Sequence, residues 1–478
     1  MEWQLFIFTQ LNLNDLTPKV ISDFTGVLSS RSFLSFLDEK GITYLVTGKT
    51  SEIISAANSS KNLIITTQKD VPAFIKKTFT HKQFSYSELP LNGDISSLLK
   101  HKENDEIVSL LDFVFSKDPH RVITKHNIEE LTKKSVFFSY HKELEETINI
   151  VHSLIRCEPE VESVLNLGKL WGRVIYLSNK VNSLEYFKSI AAVDSFSKSF
   201  FFAGKMEQVF YASTSKNPKS VDRILSNIKS IKDNKFAIVC FDCMGYAEWS
   251  LLQAFLQPYG FSFFDMPLFA MLPSITKYSR TAIFRGSKDV YNIPSPGRLD
   301  EAKSFASFFS DRQTKYFIDG DIIDSDTLTG YNSISILYSF FDELSHSTQF
   351  PPNETSKSLY FKAIHAYLEK ISIVQTLKTL QANNFAIYFC SDHGSVVASG
   401  NGQKLEKYLV DNFAKRAAIV PKASAELVKT EMLNVPFQSD ISVALPEGRT
   451  MFANKNQIEI NHGGITVEEM VVPYIKVQ

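Results

Sequence analysis

The sequence predicts an α/β protein. Its C-terminal part (233–478) is a doubly wound, mostly parallel sheet, preceded by a small α/β domain (1–100) and a helical segment (101–232). Three observations lead there. From residue 235 onward, apolar runs such as "KFAIVCFD", "SISILYSFFD" and "NFAIYFCSD" are continuous rather than alternating, as in strands covered on both faces. Residues 1–100 alternate short strand-like runs with amphipathic stretches. Between the two, glycine and proline are sparse and apolar residues recur at three and four. A chain of 478 residues also exceeds one ordinary core, so two or three domains are expected.

In the first domain, "QLFIFTQ", "ITYLVTG", "NLIITTQ" and "KQFSYSEL" read as strands, with "SRSFLSFLDEKG" and "DVPAFIKKTF" as helices between them and Gly41 closing the first. The opening "MEWQLFIFTQLNLND" lacks a basic leader and a small-residue cleavage site, and reads as a strand rather than a signal peptide. "TGKT" (47–50) falls short of a phosphate-binding loop, because Thr43 stands where that loop requires glycine. The helical segment is carried by "ENDEIVSLLDFVF", "HKELEETINIVHSLIR", "EPEVESVLNLGKLWGRVIYLSNKV" and "SVDRILSNIKSIK". His141 and His152 lie on these helices without acidic partners at ligand spacing.

Composition narrows the function. A net charge of −1 argues against non-specific nucleic-acid binding through overall charge, and no apolar run is long enough to span a bilayer, so no membrane partner is expected. Of four cysteines, Cys240 and Cys243 form a CxxC inside an apolar run with no second pair, which reads as buried strand cysteines. That usage fits a reducing, cytoplasmic setting.

Three apolar runs end in, or just before, an aspartate: Asp242, Asp342 and Asp392. Ligands of open α/β sheets bind beyond the carboxyl ends of the strands, so three carboxylates there point to a cation. Asp342 and His346 are four apart and face the same side of a helical turn, and His462 sits in "NHGG", where glycines permit close approach. These three form one candidate site, and Asp242, Asp392 and His393 a second. With three imidazoles, zinc is preferred over magnesium, other divalent ions being alternatives. "LPSITKYSRTAIFRG" supplies a nucleophile: Thr276 at a helix start, where the dipole favours an alkoxide and a phosphate, with Arg280 one turn on to fork onto phosphate oxygens. Singly, each motif also has a plain reading, as a helix cap, a solvated helix end or a tight turn. Their order along the chain carries the inference.

The order strand-Asp, Thr at a helix start, DxxxH, strand-DH and a late HGG resembles the alkaline phosphatase superfamily. Within it, "LPSITKYSRTAIFRG", "YSFFDELSH", "CSDHG" and above all "NHGGITVEEMVVP" resemble the PglZ domain, over about 235–478. The resemblance implies an alkaline phosphatase-like sheet and two zinc ions. It places Asp242, Thr276, Asp392 and His393 at the nucleophile-side metal and Asp342, His346 and His462 at the other. It further implies a metal-dependent phosphodiesterase or phosphatase in a BREX-like phage-defence setting. The expected substrate is a phosphoester, an oligonucleotide among the candidates, and the expected partners are other defence proteins. A reading from a different class is a metal-binding scaffold in a defence or signalling assembly with little turnover.

Overall fold

The computed structural model describes residues 2–15, 17–57, 63–293, 297–348, 357–403, 405 and 414–478. The chain forms two compact units, Met1–Glu143 and Leu144–Gln478.

The first unit is built on a four-stranded parallel sheet of β1 (Lys19–Asp23), β2 (Tyr44–Thr47), β3 (Leu63–Thr66) and β4 (Thr80–Phe84), in the order β2-β3-β1-β4. One expectation fails here. "QLFIFTQ" is not a strand but most of a helix, Trp3–Gln10, and "KVISD" supplies the strand instead. A seven-residue stretch is too short for its period to decide between the two. Tertiary contacts decide: Trp3, Ile7 and Phe8 are buried on one side, and Trp3 Nε1 donates to Asp112 Oδ1 at 2.7 Å, while Leu5 and Phe6 stay exposed. The helix read in "DVPAFIKKTF" shrinks to one turn, Ile75–Thr78.

In the second unit, β5 (Phe236–Phe241), β6 (Phe263–Phe269), β7 (Thr314–Ile318), β8 (Ser333–Tyr338), β9 (Ala386–Ser391) and the last strand, Val471–Val477, form a six-stranded sheet. Strands β9, β5, β8 and β7 run parallel, in that order, and the last strand joins β6 to β9 antiparallel to both. Strands β5 and β8 are buried at every residue, which is why they read as unbroken apolar runs. Cys240 and Cys390 face each other across β5 and β9 and are buried, as strand cysteines should be; Cys243 lies one residue past Asp242, also buried. Two small three-stranded sheets lie between β9 and the last strand: β10 (Val396–Gly400) with β14 (Thr450–Met451) and β15 (Ile458–Asn461), and β11 (Ala418–Pro421) with β12 (Glu431–Asn434) and β13 (Ile441–Leu445). The last strand is therefore β16.

The helices of 101–232 divide between the two units. Helix Asn104–Lys117 buries Ile107, Leu110, Leu111 and Val114 in the first unit's core. Helix Val161–Lys180 instead lies against the sheet of the second. A Cβ on Gly168 would stand 2.4 Å from Val471, and one on Gly172 would stand 2.3 Å from Tyr246, so glycine is what lets the helix approach so closely. Trp171, fully buried, donates from Nε1 to Glu468 Oε1 at 2.9 Å. From helix Ile190–Phe202, Asp194 receives both Nε and Nη2 of Arg449, at 2.8 and 2.9 Å. Among the described residues, no helix is long and apolar enough to cross a membrane.

Candidate active site

The site is assembled from three loops at one edge of the six-stranded sheet. The first follows β5. Cys243 adopts φ 66°, uncommon for a residue with a side chain, and this turns its N–H onto Asp392 Oδ1 at 3.1 Å. The next N–H, of Met244, reaches Ser391 Oγ at 3.0 Å, so the ends of β5 and β9 are stitched together and Asp242 stands beside Asp392. The second loop leads from β6 to helix Thr276–Arg285. The third follows β15 and carries His462.

Thr276 is the first residue of its helix. Ile275 holds the capping position and no side chain caps the helix, so the threonine hydroxyl is not spent on capping. Its Oγ1 lies 2.9 Å from His393 Nε2 and 3.5 Å from Asp242 Oδ1. Ser274 Oγ donates instead to the carbonyl of Gly464, at 2.8 Å, tying the threonine's loop to that of His462.

The six metal-ligating candidates fall into two groups, Asp242, Asp392 and His393 in one and Asp342, His346 and His462 in the other, each with its ligand atoms within 4.8 Å of one another. The groups adjoin: the rings of His393 and His462 stack at 4.0 Å between centroids, and His462 Nε2 is 3.8 Å from Asp342 Oδ1. Asp342 lies in the first turn of helix Phe340–Ser347, after the end of β8, and His346 one turn on has its Nε2 3.2 Å from Asp342 Oδ1.

Hydrogen bonding orients the imidazoles. His393 Nδ1 is 3.1 Å from the Gly394 carbonyl and His462 Nδ1 is 3.3 Å from the Ser274 carbonyl. A carbonyl only accepts, so each Nδ1 carries the proton and each Nε2 offers its lone pair to the site. Burial lowers the pKa of both rings, His462 to about 4 with His393 as the next cause, so both are neutral ligands at pH 7.

The carboxylates differ. Burial, and then the neighbouring Asp392, push Asp242 up to about 8, and burial raises Asp392 too. Burial also works against the charge on Asp342, but His346 and His462 outweigh it and bring Asp342 down to about 2. Asp392 Oδ1 accepts two backbone N–H groups, whereas its Oδ2 is buried with no hydrogen-bond donor. A buried carboxylate oxygen without a donor is costly, and a cation is the partner that this crowding of anions lacks. The donor set, three carboxylates and three imidazoles, fits two divalent ions of the zinc type.

Arg280 stands elsewhere than expected. Its Nη1 donates to Asp242 Oδ2 at 2.5 Å and its Nε to Glu301 Oε1 at 2.7 Å, and Tyr316 closes the chain by donating to Glu301 Oε2 at 2.6 Å. The guanidinium is clamped between two acids rather than held out as a fork. Glu301, almost wholly buried, lies on helix Arg298–Phe308 with nothing in its sequence surroundings to mark it.

Residues 222–477, more than half of the chain, match the model of a family described as the BREX system PglZ alkaline phosphatase-like domain. The chain belongs to the PglZ family. Its second unit thus carries an alkaline phosphatase-like fold, of a phosphoesterase superfamily. Among solved structures, murine ectonucleotide pyrophosphatase/phosphodiesterase 5 is similar at 14% identity and a TM-score of 0.33, over 51% of this chain and 88% of that one. An inactive form of it in complex with AMP gives the same values, and the human protein gives 12% identity, a TM-score of 0.33, and 51% and 87% coverage. No curated protein sequence matches the chain. Part of the second unit lies outside the PglZ match: Trp171 and Asp194, which hold Glu468 and Arg449, precede residue 222.

Proposed function

We propose that this PglZ protein is a two-zinc phosphodiesterase in which Thr276 is the nucleophile. The observation that carries the reading is the position of the threonine hydroxyl, uncapped and 2.9 Å from His393 Nε2, beside two adjoining groups of metal-ligating side chains. Asp242, Asp392 and His393 hold one ion, and Asp342, His346 and His462 the other. Bound there, the ions supply the Lewis acidity that favours a threonine alkoxide and neutralises charge on the phosphoryl oxygens.

The chain's own residues set the geometry. Thr276 Oγ1 attacks phosphorus and the bond to the leaving alkoxide breaks, giving a phosphothreonine that water then hydrolyses. The N-terminus of helix Thr276–Arg285 lies at the same threonine, where the positive end of its dipole favours the phosphoryl oxygens. Arg280 holds Asp242 in place and keeps a positive charge beside the site. The family's description names the BREX system, and on that ground the protein works in the cytoplasm among other defence proteins, on a phosphodiester such as an oligonucleotide.

The test compares metal-loaded wild type with Thr276→Ala on bis-p-nitrophenyl phosphate and on dinucleotides. Turnover should fall by about a thousand-fold or more, with zinc content unchanged and stability altered by about 1 kcal/mol at most. Equal rates would make a site water the nucleophile. No turnover in either protein with both ions bound would favour a scaffold.

A further inference from the structure

One buried side chain joins the loops that carry Thr276, His393 and His462. Glu469 is fully buried, and its Oε1 accepts the N–H of Gly464 at 2.7 Å while its Oε2 accepts Thr466 Oγ1 at 2.8 Å and Thr466 N at 3.3 Å. Arg416, also buried, completes its shell with Nε to Oε1 at 2.8 Å and Nη2 to Oε2 at 3.1 Å. Burial would raise the pKa of Glu469, but Arg416 and these hydrogen bonds hold it below the ordinary glutamate value, so it is ionised.

Each contact leads to a different part of the site. Gly464 lies two residues after His462 and accepts Ser274 Oγ, two residues before Thr276. The backbone carbonyl of Glu469 accepts the N–H of Gly394, next to His393, at 3.0 Å. Arg416 ties the same cluster to β14 through the carbonyl of Thr450 at 2.7 Å. The glycines follow from this packing. A Cβ on Gly464 would stand 2.7 Å from Glu469 Oε2 and 2.8 Å from Arg416 Nη2, and one on Gly394 would meet the Glu468 carbonyl at 2.0 Å.

We infer that Glu469 is a positioning residue: its carboxylate sets the His462 turn in register with the loop of Thr276, while its backbone anchors the loop of His393. The inference rests on the two-zinc reading. It gives Glu469 a role distinct from that of its neighbour Glu468, which bonds Trp171 and Arg449 and ties helices to the sheet.

The experiment titrates the full-length metal-free protein with zinc, and with cobalt as a spectroscopic probe. Wild type, Glu469→Gln, Arg416→Lys and Ser274→Ala are compared, together with kcat and KM. Glu469→Gln should lose affinity at one of two ions by about 10- to 100-fold and change that ion's cobalt spectrum, leaving the other bound. Arg416→Lys keeps a cation beside Glu469 and all of the glutamate's contacts to the turn, so it should keep both affinities even where it lowers the melting temperature. A merely structural pair would affect both variants alike. Ser274→Ala, which cuts only the link from the turn to the nucleophile loop, should lower kcat about ten-fold with KM and zinc content unchanged. Glu469→Gln binding two ions with wild-type affinity and spectrum overturns the inference. If that variant does not fold, a wild-type kcat in Ser274→Ala overturns it. A wild type that takes up no zinc sinks the two-zinc reading and this one with it.

Discussion

The two halves of the candidate metal site hold the same elements of chemistry in opposite electrostatic states. Asp242 and Asp392 stand side by side past the ends of the adjacent strands β5 and β9, both raised in pKa first by burial, and Asp392 further disfavours a charge on Asp242. Asp342 sits on a helix between two imidazoles and is stabilised as an anion. The first half is therefore a site that wants a cation and has only Arg280 in its place. The second is already balanced, by His346, whose pKa its contact with Asp342 raises although burial lowers it. The strand-end carboxylate pair is therefore the half in which a cation would relieve most repulsion, although Oδ1 of Asp342, like Oδ2 of Asp392, is buried without a hydrogen-bond donor.

Amide substitutions give the largest effect that separates the halves. Asp392→Asn and Asp342→Asn should both cost more than the 10- to 100-fold in zinc affinity that loss of a supporting residue typically causes, and both should abolish turnover. Without metal their effects on folding should diverge. Asp392→Asn removes a like-charge contact and should unfold no more easily than wild type at pH 8. Asp342→Asn removes the acceptor of a charge-assisted contact and should lose about 1.5–3 kcal/mol. Urea unfolding of the metal-free proteins checks this. Equal destabilisation of both would erase the asymmetry.

What the sequence could and could not reveal follows the same division. The placement of Asp242 and Asp392 was legible because each follows an almost wholly buried strand, and that of Asp342 with His346 because a helical turn fixes their spacing. Thr276 was legible through its helix start, and the sheet through its unbroken apolar runs. The partners were not. Glu301 meets Arg280 from twenty-one residues away, and Arg416 meets Glu469 from fifty-three, with no period or spacing to announce either pair. Likewise Trp171 and Asp194 are built into the second unit although the sequence reads their helices as a segment apart from the C-terminal domain, because an amphipathic helix does not state which core it faces. We propose accordingly that a fragment beginning near residue 233 lacks part of its own core, and that one beginning near residue 144 keeps it.

Arg280 offers a smaller and sharper probe of the first half. If it stands beside Asp242 as a substitute cation, Arg280→Met should matter most when zinc is absent, leaving Asp242 and Glu301 buried without their shared partner. The metal-free variant should lose about 3–5 kcal/mol, as when one partner of a buried pair is removed, and saturating zinc should restore part of that. Thermal unfolding with and without zinc reads the difference. An identical loss in both states would mean that the arginine is tied mainly to Glu301 and does not respond to the ion.

The smallest effect, and the most specific, is in pH. Asp242 has its pKa raised to about 8 in the folded, metal-free protein, against 3.8 for an ordinary aspartate. Between those values the folded state binds a proton that the unfolded state does not, so the contribution is present at low pH and is lost as pH rises toward 8. His393 and His462 have lowered values and act in the opposite sense below 6.5, where the unfolded state is the better proton binder. Well above 6.5 both rings are neutral in either state and drop out, and the Asp242 slope remains beside that of His346, whose raised pKa acts in the same sense and is common to wild type and Asp242→Asn. From pH 6.5 to 8, then, metal-free wild type should lose stability relative to Asp242→Asn, by at most about 1.4 kcal/mol per pH unit for one proton. Zinc should invert the trend in wild type, since ligation displaces that proton and tightens as pH rises. The comparison needs only melting curves of the two metal-free proteins at four or five pH values. Parallel curves would mean that the crowding at Asp242 is relieved by something other than a proton, and that the two halves differ less than their geometry implies.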